Sequence, residues 1–249
     1  MASLAQISLG QLFAVTSMKY HFDLSAVLHG EYGALFLKGL ELTLLMTAEA
    51  WILAMVIGIF LAVIRLGGGI VIEKTVATYV AYHQNVPILV QILLWYFGIA
   101  SVLPASAQAW VNDHNGEFIY SVIAIGLCMA AYVSEDIRSG LRTIHYGQHE
   151  ASRSLGLSYF QTMRHIVLPQ ALRVAAPPLI NHSVLLFKNT SLAMAVGVAE
   201  LSFAAREVEN HTFLTFESYL VATILYLSIS LCIMGAGAAA TRKFKIVGR

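Results

Sequence analysis

Two charged side chains stand where charge is expensive. Glu49 interrupts the apolar run 42–64, and Lys188 lies midway along the run 174–199. A charge at the centre of a bilayer costs about 2.5–3.5 kcal/mol on insertion scales, so it faces protein or water and usually has a partner. Two arrangements satisfy this pair. They neutralise each other, each offsetting the other's desolvation. Or they meet a charged cargo, Glu49 touching an ammonium group and Lys188 a carboxylate. Glu135 is the other candidate partner for Lys188. Asn181, Asn189, Thr190 and Ser191 share the run with Lys188, more polar groups than a lipid-facing helix tolerates. That run is therefore expected to line a path through a membrane.

Enzyme chemistry is harder to assemble. An intramembrane enzyme would use Glu49, Glu135 or Asp136 as acid and base. Glu135 and Asp136 are adjacent, so on a helix they point about 100° apart, and they sit at a membrane edge. The chain has no H-E-x-x-H and no G-x-x-x-x-G-K phosphate loop, so ATP hydrolysis would need a separate subunit. His145 and His149 are four apart on a polar loop with no third ligand, which reads as a polar face; no metal and no cofactor are expected.

These residues sit in a chain of 249 residues, 58% hydrophobic and 12% charged. A soluble domain carries about 25% charged residues. Half that cannot cover a water-soluble globule of this size, which excludes a soluble enzyme and a nucleic-acid binder. The two cysteines, Cys128 and Cys232, each lie inside an apolar run and read as small apolar fillers. Residues 1–10 lack the cationic start and cleavage site of a secretory signal, so insertion is expected to depend on the spans themselves.

Five runs approach the roughly 20 residues that a bilayer core requires: 42–64, 86–103, 118–137, 174–199 and 219–240. All are read as helices, because lipid offers the backbone no hydrogen-bond partners. With the N-terminus outside, the inner segments hold Arg65, Lys74, Arg138, Arg142, Arg153, Arg164, Arg173, Arg242, Lys243, Lys245 and Arg249, which is 11 of the 15 basic residues. Lys19, Lys38 and Arg206 fall outside. The excess places the C-terminus inside. In the first run Ala50, Ala54, Gly58 and Ala62 recur at four-residue spacing, a stripe that allows close helix packing. Trp95 and Tyr96 are expected to pack or to anchor at an interface. No internal repeat is visible.

The inner segment 138–173 is the longest. Residues 149–155 suit a helix that stops at Gly156, and Ser158 precedes Gln161 by the spacing of a capping box. A second helix follows over 159–168, with Pro169 expected to mark its boundary. Two short helices with a bend suit docking against a partner or lying on lipid.

This segment resembles the EAA loop of bacterial ABC-importer permeases. Glu150, Ala151 and Ser152, then Gly156, then Ile166, Leu168 and Pro169 fall at the spacing of that motif, with Ser152 in place of the second alanine. Ala131-Tyr132 to Gly140-Leu141, Leu168 to Arg173, Pro177-Pro178, Lys188 to Leu192, Gly197 to Leu201, and Asn85-Val86-Pro87 with Gln91 are similar to the polar-amino-acid branch of the family, over roughly residues 36–240. Gln84 departs from it, where relatives commonly carry arginine. The resemblance implies an all-α polytopic membrane protein with the five-span type I importer fold, N-out and C-in. Residues 1–35 would form an N-terminal periplasmic or interfacial segment, 36–240 the transmembrane domain with 138–173 as coupling loop, and 241–249 a cytoplasmic tail. It implies further a pore subunit of the bacterial inner membrane, paired with an identical or homologous permease. Two ATPase subunits would dock on Glu150, Ala151, Ser152, Gly156, Ile166, Leu168 and Pro169, and a periplasmic or surface binding protein would deliver an amino acid. Glu49, Asn85, Gln91, Glu135, Lys188, Asn189, Thr190 and Ser191 are the candidates for the substrate path. A membrane scaffold with a docking loop is the alternative the residues leave open, beside the intramembrane enzyme.

Overall fold

The computed structural model describes residues 20–242, all helices and connections. In chain order the helices are α1 (Leu24–Leu28), α2 (Gly30–Gly67), α3 (Ile70–Asn85), α4 (Ile88–Val102), α5 (Ala105–Asp113), α6 (Gly116–Arg142), α7 (Tyr146–Ser154), α8 (Tyr159–Val196), α9 (Leu201–Thr212) and α10 (Thr215–Arg242). By length and apolarity α2, α6 and α10 can each cross a bilayer; the number rises to five if the bent pairs α3/α4 and α8/α9 each count as one pass.

α6 is the axis of the molecule. It is buried along most of its middle, from Tyr120 to Ser134, while α2 and α10 keep broad apolar faces exposed. A helix that is apolar all round fits lipid on its outer side. On α2 the inner side is a narrow stripe of small residues. Phe36, Gly39, Thr43, Met46, Ala50, Ala54, Gly58 and Ala62 are its buried positions, so the four-residue spacing does pack. A Cβ on Gly58 would lie 2.6 Å from Val133 Cγ1, and one on Gly126 would lie 2.7 Å from Leu53 Cδ2. Close backbone approach replaces the hydrophobic effect, which is weak between helices in lipid.

Three elements differ from the sequence expectation. The helix of the first apolar run, α2, begins at Gly30, well before residue 42, because nothing in 30–41 breaks a helix that α9 covers on one side. The second run is not a straight rod. α3 precedes α4 and meets it at 106°. Pro87 holds Val86 in an extended conformation and denies α3 its next hydrogen bond. Within α4, Leu94–Ile99 forms a π-helical turn, and Trp95 and Tyr96 pack partly against the core, as expected.

The third difference is α8. Pro169 ends nothing: one helix runs from the inner segment through the fourth apolar run. A π turn over Met163–Val167 precedes the proline and widens the coil, so the carbonyl that its ring would crowd is displaced. The rod continues through Pro177 and Pro178 to Asn189 and tightens into a 3₁₀ stretch, Thr190–Val196, before Gly197 at φ +95 turns the chain by 50° into α9.

Candidate functional site

The inner loop is built by local capping. Gly156 stands at φ +75; its N–H donates to Arg153 O (2.9 Å), and Leu157 N–H reaches back to Ser152 O (3.1 Å). This is the Schellman arrangement that closes a helix on glycine. Ser158 then opens α8 with a full capping box: Gln161 N–H donates to its Oγ at 3.3 Å, and Ser158 N–H donates to Gln161 Oε1 at 2.8 Å. Ser152 is buried, and its hydroxyl donates to Gln148 O (2.5 Å), which explains how a serine serves at a small-residue position.

Around this turn lies a concavity of about 290 Å³ lined by Tyr146, His149, Glu150, Arg153, Tyr159 and Thr162. Glu150 and Ala151 face solvent, and so do Tyr146, Leu155, Tyr159 and Phe160, each about 70% exposed or more. A charged, aromatic-rimmed hollow on a capped turn has the composition of an interface centre, where aromatic and arginine side chains are enriched. The exposed aromatics were present in the sequence but went unused; apolar residues in an otherwise polar loop were the signal. Ile166 is half-buried, and Leu168 and Pro169 are exposed along α8.

The membrane-embedded candidates separate. Glu49 and Lys188 are both exposed and do not pair: among the described residues the ion pairs are Arg65–Glu135, Arg138–Glu135, His182–Asp136 and His211–Glu207. Glu135 is not a partner for Lys188 either, because Arg65 Nη1 (2.5 Å) and Arg138 Nε (2.9 Å) occupy both its oxygens. Asp136, one residue on, turns the other way and accepts from His182 Nδ1 at 2.6 Å. Of the three carboxylates named for an intramembrane enzyme, Glu135 and Asp136 are thereby engaged and Glu49 is exposed. Gln91 is buried, its Oε1 2.6 Å from His83 Nδ1 and its Nε2 donating to His83 O (3.1 Å) and Val86 O (2.8 Å). It clamps the α3/α4 bend. Cys128 Sγ joins the same clamp at 3.7 Å, so this cysteine does more than fill space. Asn85 is exposed and donates to Ala81 O at 2.7 Å.

Lys188 ends the regular part of α8 and opens into a groove of about 380 Å³ with Ser191, Ser202, Tyr219, Ala222, Thr223 and Tyr226. Behind the groove is a residue that the sequence pattern did not single out. Glu200 is fully buried. It caps α9 by accepting from Ser202 N–H and Phe203 N–H, both 3.0 Å, and takes the Tyr226 hydroxyl at 2.6 Å. Thr43 of α2 accepts Leu201 N–H beside it at 3.0 Å. An acid directly before an apolar-periodic stretch was the available signal. Thr190 is buried and donates to Phe187 O (2.7 Å), Ser191 donates to Lys188 O (2.7 Å), and Asn189 is half-buried. The groove thus offers one ammonium among hydroxyl groups, a setting for a carboxylate.

Residues 54–246 match the family described as binding-protein-dependent transport system inner membrane component. Among similar proteins are the glutamate/aspartate import permease protein GltJ of Escherichia coli K12, 29% identical over 85% of this chain and 87% of its own. The probable amino-acid ABC transporter permease protein PatM of Vibrio harveyi is 33% identical over 82% and 88%. Among solved structures, a chain of an amino acid ABC transporter crystallised with histidines superposes with a TM-score of 0.78 at 27% identity, covering 90% of this chain and all of that one. A MetNI methionine ABC transporter chain, 18% identical with a TM-score of 0.67 over 88% of this chain, shares the fold.

Proposed function

The chain belongs to the binding-protein-dependent inner membrane components and is a permease subunit of an ABC importer, and from that premise we propose that α8 is the shaft by which a separate ATPase moves a polar amino acid. One observation carries this reading. A single helix begins at the capped loop with Glu150 and Gly156 and ends at the groove with Lys188. Docking at Glu150, Ala151, Ser152, Gly156, Ile166, Leu168 and Pro169 therefore acts on the same rod that presents the ammonium. Lys188, with Asn189 and Ser191 beside it, faces the cargo carboxylate. Glu49 lines the path apart from it. Glu135, Gln91, Thr190 and Asn85 hold the walls.

The remaining parts follow the family. A second permease, identical or homologous, completes the pore; an ATPase pair hydrolyses ATP; a binding protein supplies cargo at the outer face of the bacterial inner membrane. Each bent pair makes one pass, giving five, with the N-terminus out and the C-terminus in, which the distribution of Lys and Arg supports. Residues 36–240 are the transmembrane domain, flanked by an outer N-terminal segment and an inner tail. In a background lacking Cys128 and Cys232, a membrane-impermeant maleimide should label Ala109→Cys on intact cells and Gln148→Cys only after permeabilisation. The reverse pattern would overturn the orientation.

Uptake of a radiolabelled amino-acid panel, with and without this gene, tests the function itself. Within it, Lys188→Met should express and assemble normally, since no ion pair is broken, but lose uptake. A charge-assisted bond contributes about 1.5–3 kcal/mol, or roughly tenfold to a hundredfold in affinity. Lys188→Arg should retain part of it. Unimpaired uptake by Lys188→Met would remove that residue from the path.

A further inference from the structure

α8 carries a weak point and a tie close together. Pro177 and Pro178 lie inside the helix, so the carbonyls of Arg173 and Val174 receive no helical N–H. Missing bonds on two consecutive residues make this the most compliant stretch of the rod. One turn beyond Pro178, His182 donates from Nδ1 to Asp136 Oδ2 of α6 at 2.6 Å, and the imidazole packs on Tyr132 of α6 with ring centroids 5.0 Å apart. Both partners are largely shielded, with side chains 21% and 13% exposed.

The segment of α6 that holds His182 is itself braced. Glu135 ties it to Arg65 at the end of α2, and the glycine contacts at Gly58 and Gly126 lock the same two helices. Below the prolines α8 also touches α6: a Cβ on Gly140 would lie 2.6 Å from Ala171 O. That lower contact is close packing of small residues without a side-chain hydrogen bond, whereas the one above is held by a directional bond. From His182 to Lys188 the rod runs about 9 Å at 1.5 Å per residue.

We propose that the Asp136–His182 bond is the fulcrum of the transport stroke. It fixes the cargo-side part of α8 to the α2–α6 block while the loop-side part swings at Pro177–Pro178. His182 and Asp136 are positioning residues. They touch neither ATPase nor cargo and set how much of the loop's motion reaches Lys188. The inference rests on the permease reading given above.

The test uses the complete complex, with its ATPase and binding protein, in proteoliposomes, reading ATP hydrolysis and uptake of a radiolabelled mixture of the common amino acids in the same sample. His182→Leu should co-purify with the ATPase and hydrolyse ATP within about twofold of the parent, while uptake per ATP falls about tenfold, a typical size for lost coupling. His182→Gln, which keeps a donor, and the exchanged pair Asp136→His/His182→Asp should recover most of the ratio. An unchanged ratio in His182→Leu overturns the proposal, as does a parallel loss of hydrolysis and uptake in an assembled complex. If His182→Leu does not assemble, a short bifunctional thiol reagent bridging Asp136→Cys and His182→Cys decides: a fulcrum tolerates the tether and uptake persists, whereas abolished uptake shows that the two residues part during the cycle and overturns it. Absence of ATP-dependent uptake by the parent complex would refute the permease reading itself, a result distinct from any of these.

Discussion

A Gly156→Val chain is expected to insert at the parent level, to lose the ATPase on co-purification, and to transport at less than about a tenth of the parent rate, in line with loss of a docking hot spot. Gly156 sits at φ +75. Left-handed backbone costs an ordinary residue roughly 1–2 kcal/mol, and a β-branched one crowds further. A Cβ there meets nothing within 4 Å, so the penalty comes from the backbone alone and the transmembrane core is untouched. Relief requires the Schellman turn to open, which releases the bonds to Arg153 O and Ser152 O and swings Arg153 and Glu150 away from Tyr159. The hollow that they form with α8 then no longer exists. Gly156→Asn, which accepts left-handed φ, should keep binding and uptake in large part. Parent-level transport by Gly156→Val would show that the loop does not carry the stroke.

The second large effect belongs to folding. Gly58→Leu should fail to accumulate, or should melt far below the parent in detergent. Its Cβ would lie 2.6 Å from Val133 Cγ1 and 3.0 Å from the backbone oxygen of Ala130, and a backbone atom cannot rotate aside. Overpacking costs about 1–3 kcal/mol where neighbours can shift. Here α2 must separate from α6 along the stripe of Ala50, Ala54 and Ala62, so further contacts are lost with the first. Val56→Leu, on the exposed face of the same helix, is the control and should melt like the parent. Equal melting temperatures for the two variants would contradict the packing role of Gly58.

Much of this was legible in the residues. Small side chains at four-residue spacing marked the packed face of α2, because helical periodicity is local, while its partner in α6, Val133, lies far along the chain and carries no such mark. Ser158 with Gln161 and the glycine stop led to the loop because caps involve near neighbours only. What escaped depended on distant partners. The bend before Pro87 needs the Gln91–His83 clamp, closed by Cys128 from α6, and none of these is marked by spacing. The continuity of α8 through Pro169 needs a π turn, for which no residue pattern is diagnostic. Charge in an apolar run correctly signals a special environment, yet the pairing of Glu49 with Lys188 failed because it depends on which way two helices are rotated. The actual pairs, Arg65 with Glu135 and Asp136 with His182, span 70 and 46 residues.

The burial of Glu200 bears on biosynthesis. Its carboxylate is completed by Tyr226, and Glu217 in the same last helix receives the Tyr20 hydroxyl and, at 2.8 Å, Asp23 N–H. A nascent chain emerging from the ribosome therefore holds the Glu200 carboxylate and its own early residues, Tyr20 and Asp23, in unfinished surroundings until α10 has been translated. The final helix acts as a closing seam, so a polypeptide cut short before Tyr226 leaves the Glu200 carboxylate with its α9 cap alone and without the hydroxyl that completes it.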